Sequence, residues 1–287
     1  MKLLIAGRNS YIGCHIGEFV RAQEPDSEVT YISVRNDDWK VMDLSAFDAV
    51  VFAAAIVHRK DITDELLYHR VNAQLPYDFA NKAKAEGVKR FLFLSTAGVY
   101  KSNKTLPASV ITADTPLEPD GPYGKSKLEG ERLLAKLADE DFLVSIVRPI
   151  NVYGKDCPGN YIPIFMKITR LLPAIPKAFT DVKQGMVHVD HLAKLCYLAL
   201  RAEHGGVYHA QDRRAVSSFE IMQAMAQGMG QRKKVFPCHG AVRMFNQLAP
   251  VVKLYGAVAY SDALAACPLG EYADEDPAQK LKETVRK

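Results

Sequence analysis

The chain has 287 residues, 48% of them hydrophobic and 24% charged, which is ordinary globular composition with enough apolar surface for one large or two small domains. Its formal charge of +4, from 37 basic and 33 acidic side chains, is too slight and too interspersed for a nucleic-acid binder. Five scattered cysteines, Cys14, Cys157, Cys196, Cys238 and Cys267, lack metal-ligand spacing and fit a reduced, cytoplasmic chain; the first residues do not read as a signal peptide and no apolar run is long enough to span a bilayer.

In chain order, residues 3 to 6 read as a buried strand and 12 to 23 as a helix. Strands follow at 29 to 34 and 49 to 53, then a helix over 64 to 86 that Gly87 stops. Residues 90 to 95 form another continuous apolar strand. A helix is expected over 123 to 138, with Leu128, Leu133, Leu134 and Leu137 on one side, and a strand over 142 to 147 stopped by Pro149. Strands without polar alternation, separated by helices, predict a parallel sheet covered on both faces, a doubly wound α/β fold of Rossmann type. After Gly154 the alternation fails and prolines accumulate at Pro158, Pro163, Pro173 and Pro176. Helices are expected at 190 to 202 and 217 to 229. The apolar stretch 241 to 260 reads as a buried or amphipathic helix, with peripheral membrane contact as its alternative. The expected division is a dinucleotide-binding core over 1–155 and, over 156–287, mainly a small C-terminal substrate-binding cap with some segments returning to the core.

Gly7-Arg8-Asn9-Ser10-Tyr11-Ile12-Gly13 follows the first strand and opens the first helix. Glycines there permit a tight turn and let backbone N–H groups approach a pyrophosphate at the helix N-terminus. Ser10 stands where such loops carry a middle glycine; it is small, and its hydroxyl could reach a phosphate. The bland alternative is a tight turn with no ligand. At the end of the second strand, Ser33, Val34 and Arg35 occupy the place of the carboxylate that accepts the ribose hydroxyls of NAD. Without that carboxylate a 2′-phosphate is not repelled, and Arg35, with Arg8, can bind it. The reading is NAD(P) with NADP slightly favoured; a solvated Arg35 and NAD itself stay open. Asp43 is placed to accept from the adenine amino group, and Ala53, Ala54 and Ala55 let the backbone pass close to the cofactor. Leu44, Tyr123, Lys127 and Pro149 complete the expected cofactor-facing set.

Tyr123 and Lys127 are four apart at the start of a helix and share a face. A phenol near pKa 10 is a poor base; the lysine ammonium, a cationic nicotinamide and the helix N-terminus would each favour the phenolate. Such a phenolate could take a proton from a substrate hydroxyl while hydride leaves. Thr96, at the carboxyl end of a strand, can orient the substrate oxygen or relay a proton. One Tyr-x-x-x-Lys pair is expected by accident among thirteen tyrosines, and its alternative is a surface pair on an amphipathic helix. Its position behind the glycine loop and after Ser95-Thr96 gives it weight.

The glycine loop, Phe91-Leu92-Phe93-Leu94-Ser95-Thr96-Ala97-Gly98-Val99-Tyr100, Tyr123-Gly124-Lys125-Ser126-Lys127, Arg148-Pro149-Ile150-Asn151-Val152-Tyr153-Gly154 and Val187-His188-Val189-Asp190 together resemble the NAD-dependent epimerase/dehydratase family, the extended short-chain dehydrogenases that modify nucleotide sugars. The resemblance covers the first 210 residues well and the tail more loosely. It implies a catalytic set of Thr96, Tyr123 and Lys127, and substrate contacts from Thr96, Asn151 and Asn160, with Lys183 as a candidate phosphate contact. The family's dehydratases carry an acid–base carboxyl pair where this chain has Ala97 and Gly98, so dehydration is not expected. The favoured reaction is epimerisation at carbon 4 of a UDP-hexose or UDP-N-acetylhexosamine. The alternatives are an NADPH-dependent 4-keto-sugar reductase and, in another class, a non-catalytic NAD(P)-binding regulator. A lipid-linked pyrophosphoryl sugar also stays open as substrate. A homodimer through the helix beginning at Tyr123 is implied by the same resemblance. No metal is expected, and His188 and His191 are read as packed or capping.

Overall fold

The computed structural model describes residues 1–57, 64–102, 106, 109–159, 161–238, 249–273 and 275–286. Six strands form its central sheet: β1 (Lys2–Ala6), β2 (Glu28–Ile32), β3 (Ala49–Phe52), β4 (Arg90–Leu94), β5 (Leu143–Pro149) and β6 (Gly206–Ala210). The order is β6-β5-β4-β3-β1-β2, and every pairing is parallel. From β1 the chain goes to one side for β2 and to the other for β3. The carboxyl ends of β1 and β3 therefore flank the crevice where open α/β sheets hold ligands.

The continuous apolar runs are explained by helices on both faces. Successive strand residues point to opposite sides, so Leu3, Ile5, Val51 and Leu92 meet Ile16 and Val20 of α1 (Tyr11–Gln23) and Leu192, Leu195 and Cys196 of a later helix (Val189–Arg201). Leu4, Val50, Phe52, Phe91 and Phe93 face the other way, against Phe79, Ala80, Ala83 and Leu134. Those last residues belong to α3 (Leu75–Ala85) and α4 (Pro122–Ala135).

The helical segment expected over 64 to 86 is not one regular helix. It begins as α2 (Glu65–His69), loosens into a π-turn at Arg70–Gln74 and resumes as α3. Pro76 has no N–H to give the Asn72 carbonyl, which removes one α-helical bond. Leu75 N–H instead bonds Arg70 O, five residues back. A π-turn of this kind is frequent at functional sites, and this one aims Asn72 inward, fully buried.

Beyond Gly154 the prolines do not prevent helix formation: Pro163 sits in the first turn of α5 (Tyr161–Leu171), where its missing N–H costs nothing. The helix at Val189–Arg201 is α6, and Ser218–Gly228 is α7, closed by a capping box between Ser217 and Glu220. Within 241 to 260, residues 241–248 lie outside the described set; Ala249–Tyr255 is helical, but Val258–Tyr260 is a strand parallel to Ser109–Ile111. The expected single helix is therefore broken, Gly256 and Ala257 separating the two elements. Tyr153, Phe165, Ile175, Met222, Met225 and Leu281 gather these later elements around a separate apolar cluster. Among the described residues no helix is long and apolar enough to cross a membrane, and no group of three potential ligands could hold a metal ion.

Candidate active site

β1 leads directly into Gly7, whose φ is +129°. A Cβ there would lie 2.9 Å from Ala54 N and 3.1 Å from the Ala53 carbonyl carbon, so the loops after β1 and β3 can touch only because residue 7 is glycine. Gly7 and Arg8 N–H both donate to Ile32 O at the end of β2, at 2.9 and 2.8 Å. Ser10 closes the turn, its hydroxyl accepting from Gly13 N at 3.1 Å as the N-cap of α1. This is why serine replaces the middle glycine: the hydroxyl is spent on the helix end. Tyr11 and Ile12, the next two residues, have N–H groups with no intrahelical acceptor, at the positive end of the helix dipole. Arg8 and Asn9 are exposed at the loop tip, and the Tyr11 hydroxyl donates to Lys155 O at 2.9 Å. Gly7→Ala should destabilise the fold by about 1–3 kcal/mol through backbone strain and weaken nicotinamide-dinucleotide binding. Thermal denaturation and a cofactor titration read the two effects.

The other expected cofactor residues surround this loop unequally. Ser33 Oγ accepts from Arg35 N at 3.3 Å, and the Arg35 side chain is exposed. Asp43 is exposed and accepts from Ser45 N at 2.9 Å; the hydrogen bonds from Ser45 hold its carboxyl below the usual range. Leu44 is fully buried, and its N–H donates to Glu86 Oε2 at 2.6 Å, so its amide and side chain are engaged within the fold. Ala53 N–H donates to Ala6 O at 2.9 Å, Ala54 lies against Gly7, and Ala55 is exposed.

Thr96 follows β4 and caps a short 3-10 turn, Ala97–Val99, accepting from Gly98 N at 3.1 Å. Its hydroxyl is also hydrogen-bonded to the Tyr123 phenol. What brings them together is Gly124, where a Cβ would fall 2.3 Å from Gly98 O; α4 therefore lies directly on the turn after β4. Lys127, one helical turn on, is only 1% exposed. Its ammonium donates to Leu94 O at 2.7 Å and stands 4.4 Å from the centre of the Phe93 ring. Burial pushes the Tyr123 phenol up to about 12, with the Thr96 hydrogen bond opposing. Burial pushes Lys127 down to about 7, with Glu131 opposing. The expectation that Lys127 lowers the tyrosine is thus not met in this state. The ammonium is turned onto Leu94 O of β4, and the cost of desolvation outweighs any benefit to the phenolate.

Behind Tyr123 stands a brace that the sequence motifs do not announce. Asn72 accepts from Ile56 N and donates to Ile56 O, both at 2.9 Å, and donates to Ser126 Oγ at 3.1 Å. Ser126 donates in turn to Tyr123 O at 2.9 Å. One buried amide so joins the loop after β3 to the first turn of α4; the proline at 76 was the available signal. Equally unannounced is Glu131, which takes Arg148 Nε at 3.0 Å and Nη2 at 2.5 Å and is bonded by Ser95 Oγ. Arg148 Nη1 donates to Tyr100 Oη at 2.7 Å. This buried pair links α4 and β5 to Ser95 and Tyr100 after β4.

Pro149 ends β5 and is buried. Asn151 is partly exposed and donates to Gly185 O at 3.2 Å; Asn160 lies outside the described residues. Lys183 is ion-paired with Glu220, which engages it on α7 instead of leaving it free as a phosphate contact. His188 caps α6, accepting from Asp190 N at 3.3 Å, and burial pushes it down to about 4. His191 Nδ1 lies 2.8 Å from Asp212 Oδ1, with Tyr153 Oη 2.7 Å from Oδ2. His188 thus engages a helix end and His191 a buried carboxylate.

The chain belongs to the NAD dependent epimerase/dehydratase family, whose model matches residues 3–210. It is 28% identical over 211 residues to an N-acetyl-alpha-D-glucosaminyl-diphospho-ditrans,octacis-undecaprenol 4-epimerase of Escherichia coli O157:H7, covering 71% of this chain and 62% of that protein. It is 29% identical over 183 residues to a UDP-glucose 4-epimerase of Vibrio cholerae, covering 62% and 56%. In these matches the chain spans less than two thirds of each relative's length. Among solved structures, RMD from Pseudomonas aeruginosa complexed with NADPH superimposes with a TM-score of 0.74 at 17% identity, over 99% of this chain and 98% of that one. A UDP-glucose-4-epimerase from Stenotrophomonas maltophila with bound NAD gives 0.71 at 22%, over 99% and 97%. These structural likenesses establish the doubly wound fold.

Proposed function

We propose that the chain is an NAD(P)-dependent sugar-nucleotide 4-epimerase acting on a UDP-hexose or UDP-N-acetylhexosamine. The observation that carries this reading is the Thr96–Tyr123 hydrogen bond beside a buried Lys127, at the sheet edge that also carries the glycine loop. The 4-epimerase names of its relatives support it, and Ala97 and Gly98, which leave no carboxyl pair, speak against dehydration.

The residues fit a dinucleotide. The amides of Tyr11 and Ile12 and the tight approach of Gly7 and Gly13 to the Ala53–Ala54 backbone and side chains suit a pyrophosphate. Lys127, a buried cation bonded to one carbonyl, suits ribose hydroxyls. When bound, the nicotinamide supplies hydride acceptance and return at carbon 4. Tyr123 takes the proton of the 4-hydroxyl and gives it back. Thr96 orients that oxygen and, by its bond to Tyr123, favours the phenolate. Lys127 supplies positive charge one turn away. Asn151 and Asn160 are assigned to the substrate.

For the cofactor we infer a preference for NADP, supported by Ser33 and the exposed Arg35 where a carboxylate would select NAD. Arg35→Asp should weaken NADP binding by about tenfold to a hundredfold, the worth of a charge-assisted contact, and spare NAD. Fluorescence titration with each cofactor checks this, and equal NADP affinity in the variant contradicts it. The same residues favour the second reading, a 4-keto-sugar reductase. We assign the homodimer contact to the outer faces of α2 and α4, whose groove is lined by Leu66, Leu117, Pro119 and Leu128, with Leu66 80% exposed.

A further inference from the structure

Away from the sheet edge, the outer side of α5 carries surface that the proposed reaction does not use. This helix buries Ile162, Phe165 and Thr169 and turns Pro163, Ile164, Lys167, Arg170 and Leu171 outward. Ile164 is 45% exposed and Leu171 73%, high values for aliphatic side chains set between cations. The chain then runs through the strand Ala174–Lys177, which pairs in parallel with Lys234–Pro237. That second strand is exposed at every residue, including Val235 and Phe236. Lys233 ties helix and strand pair into one surface: its ammonium donates to Arg170 O at 3.0 Å and Leu172 O at 2.5 Å, the carbonyls that a helix end leaves unpaired.

The charge on this surface has one sign. Residues 161–180 and 229–238 contain Lys167, Arg170, Lys177, Arg232, Lys233 and Lys234 and no aspartate or glutamate, in a chain whose overall charge is nearly balanced. Among the described residues, no ion pair joins Lys167, Arg170, Arg232 or Lys234 to a carboxylate, although such pairs are common elsewhere on the molecule. Protein–protein interface cores are depleted of lysine. Aliphatic and aromatic side chains interleaved with lysine and arginine on a short helix are instead what a lipid–water interface with anionic headgroups selects, the apolar groups entering the acyl boundary and the cations meeting phosphate.

We propose that the face formed by α5 and the strand Lys234–Pro237 docks this protein on an anionic phospholipid bilayer. The assignment rests on this surface alone and is independent of the reaction. The test is co-sedimentation of the full chain with phosphatidylcholine vesicles, with and without phosphatidylglycerol, at low and high salt. The protein should pellet with phosphatidylglycerol vesicles, remain in solution with phosphatidylcholine alone, and be released by salt. Each cation next to an anionic surface strengthens partitioning by about fivefold, so Lys167→Ala with Arg170→Ala should lower it on the order of twentyfold. Phe236→Ser and Leu171→Ser should weaken binding as well. All four side chains are exposed, so thermal melting and turnover of a soluble substrate should be unchanged. Failure to pellet with anionic vesicles, or pelleting indifferent to these substitutions, overturns the proposal. So does a dimer dissolved by Phe236→Ser in ultracentrifugation with no vesicle binding.

Discussion

Tyr123→Phe should lower kcat by about 10²–10⁴-fold, the usual worth of a positioned general acid–base group, with little change in cofactor affinity or folding. The substitution removes one hydroxyl, its hydrogen bond to Thr96 and the only atom proposed to exchange a proton with the sugar. The ring, its helix and the Asn72–Ser126 brace beneath it remain, because that brace holds the Tyr123 carbonyl and not the phenol. Steady-state turnover and a cofactor titration on the same preparation separate the two quantities. A regulator that only binds dinucleotide would be indifferent to the change, so unaltered behaviour in a functional readout would remove the enzymatic reading.

Lys127→Met should stabilise the protein while ending its activity. The lysine is held near pKa 7 instead of 10.5 by burial, a difference equivalent to roughly 5 kcal/mol at 1.36 kcal/mol per pH unit. Below pH 7 the lysine is protonated in both folded and unfolded chains, and the full cost is present. Between about 7 and 10.5 the unfolded chain binds more protons, so this group's cost falls as pH rises and vanishes above 10.5. Methionine has no charge to desolvate and packs well against the Phe93 ring, but leaves Leu94 O without its donor, at about 1–2 kcal/mol. The net expectation is a gain of about 3 kcal/mol near pH 6, shrinking toward pH 9. Urea denaturation of both proteins at the two pH values measures it. A variant less stable than its parent at the lower pH would show that the ammonium is a structural asset and not a functional expense.

The sheet was legible because β1, β3 and β4 are uninterrupted apolar runs, which only a sheet covered on both sides can bury. The meeting of Thr96, Tyr123 and Lys127 at one sheet edge was legible from order: a strand followed by Thr96, then Tyr123 and Lys127 at helical spacing. The direction of the tyrosine's shift was not, because burial sets it, and burial depends on how closely α4 packs on the turn after β4. The brace was hidden as well. A buried asparagine looks like any polar helix residue until Pro76 opens the π-turn around it. Ser10 as a cap, and Glu131 as the partner of Arg148, depend on contacts between segments distant in sequence or on end geometry that periodicity does not report. Pro163 was misleading in the opposite sense, since a proline in the first turn of a helix breaks nothing. Strand β6 carries few residues of marked β-type pattern and is recruited by its pairing with β5.

In the proposed function, one chain with its nicotinamide completes an oxidation and its reversal on the same sugar. The most direct measurement is to incubate the purified protein with UDP-glucose or UDP-N-acetylglucosamine, with no nicotinamide added, and follow the sugar by proton NMR. The 4-epimer should appear with the parent protein and not with Tyr123→Phe, with no net change in cofactor redox state. NADPH consumed stoichiometrically against a UDP-4-keto-sugar, with no epimer formed from either substrate, would contradict epimerisation and establish a reductase.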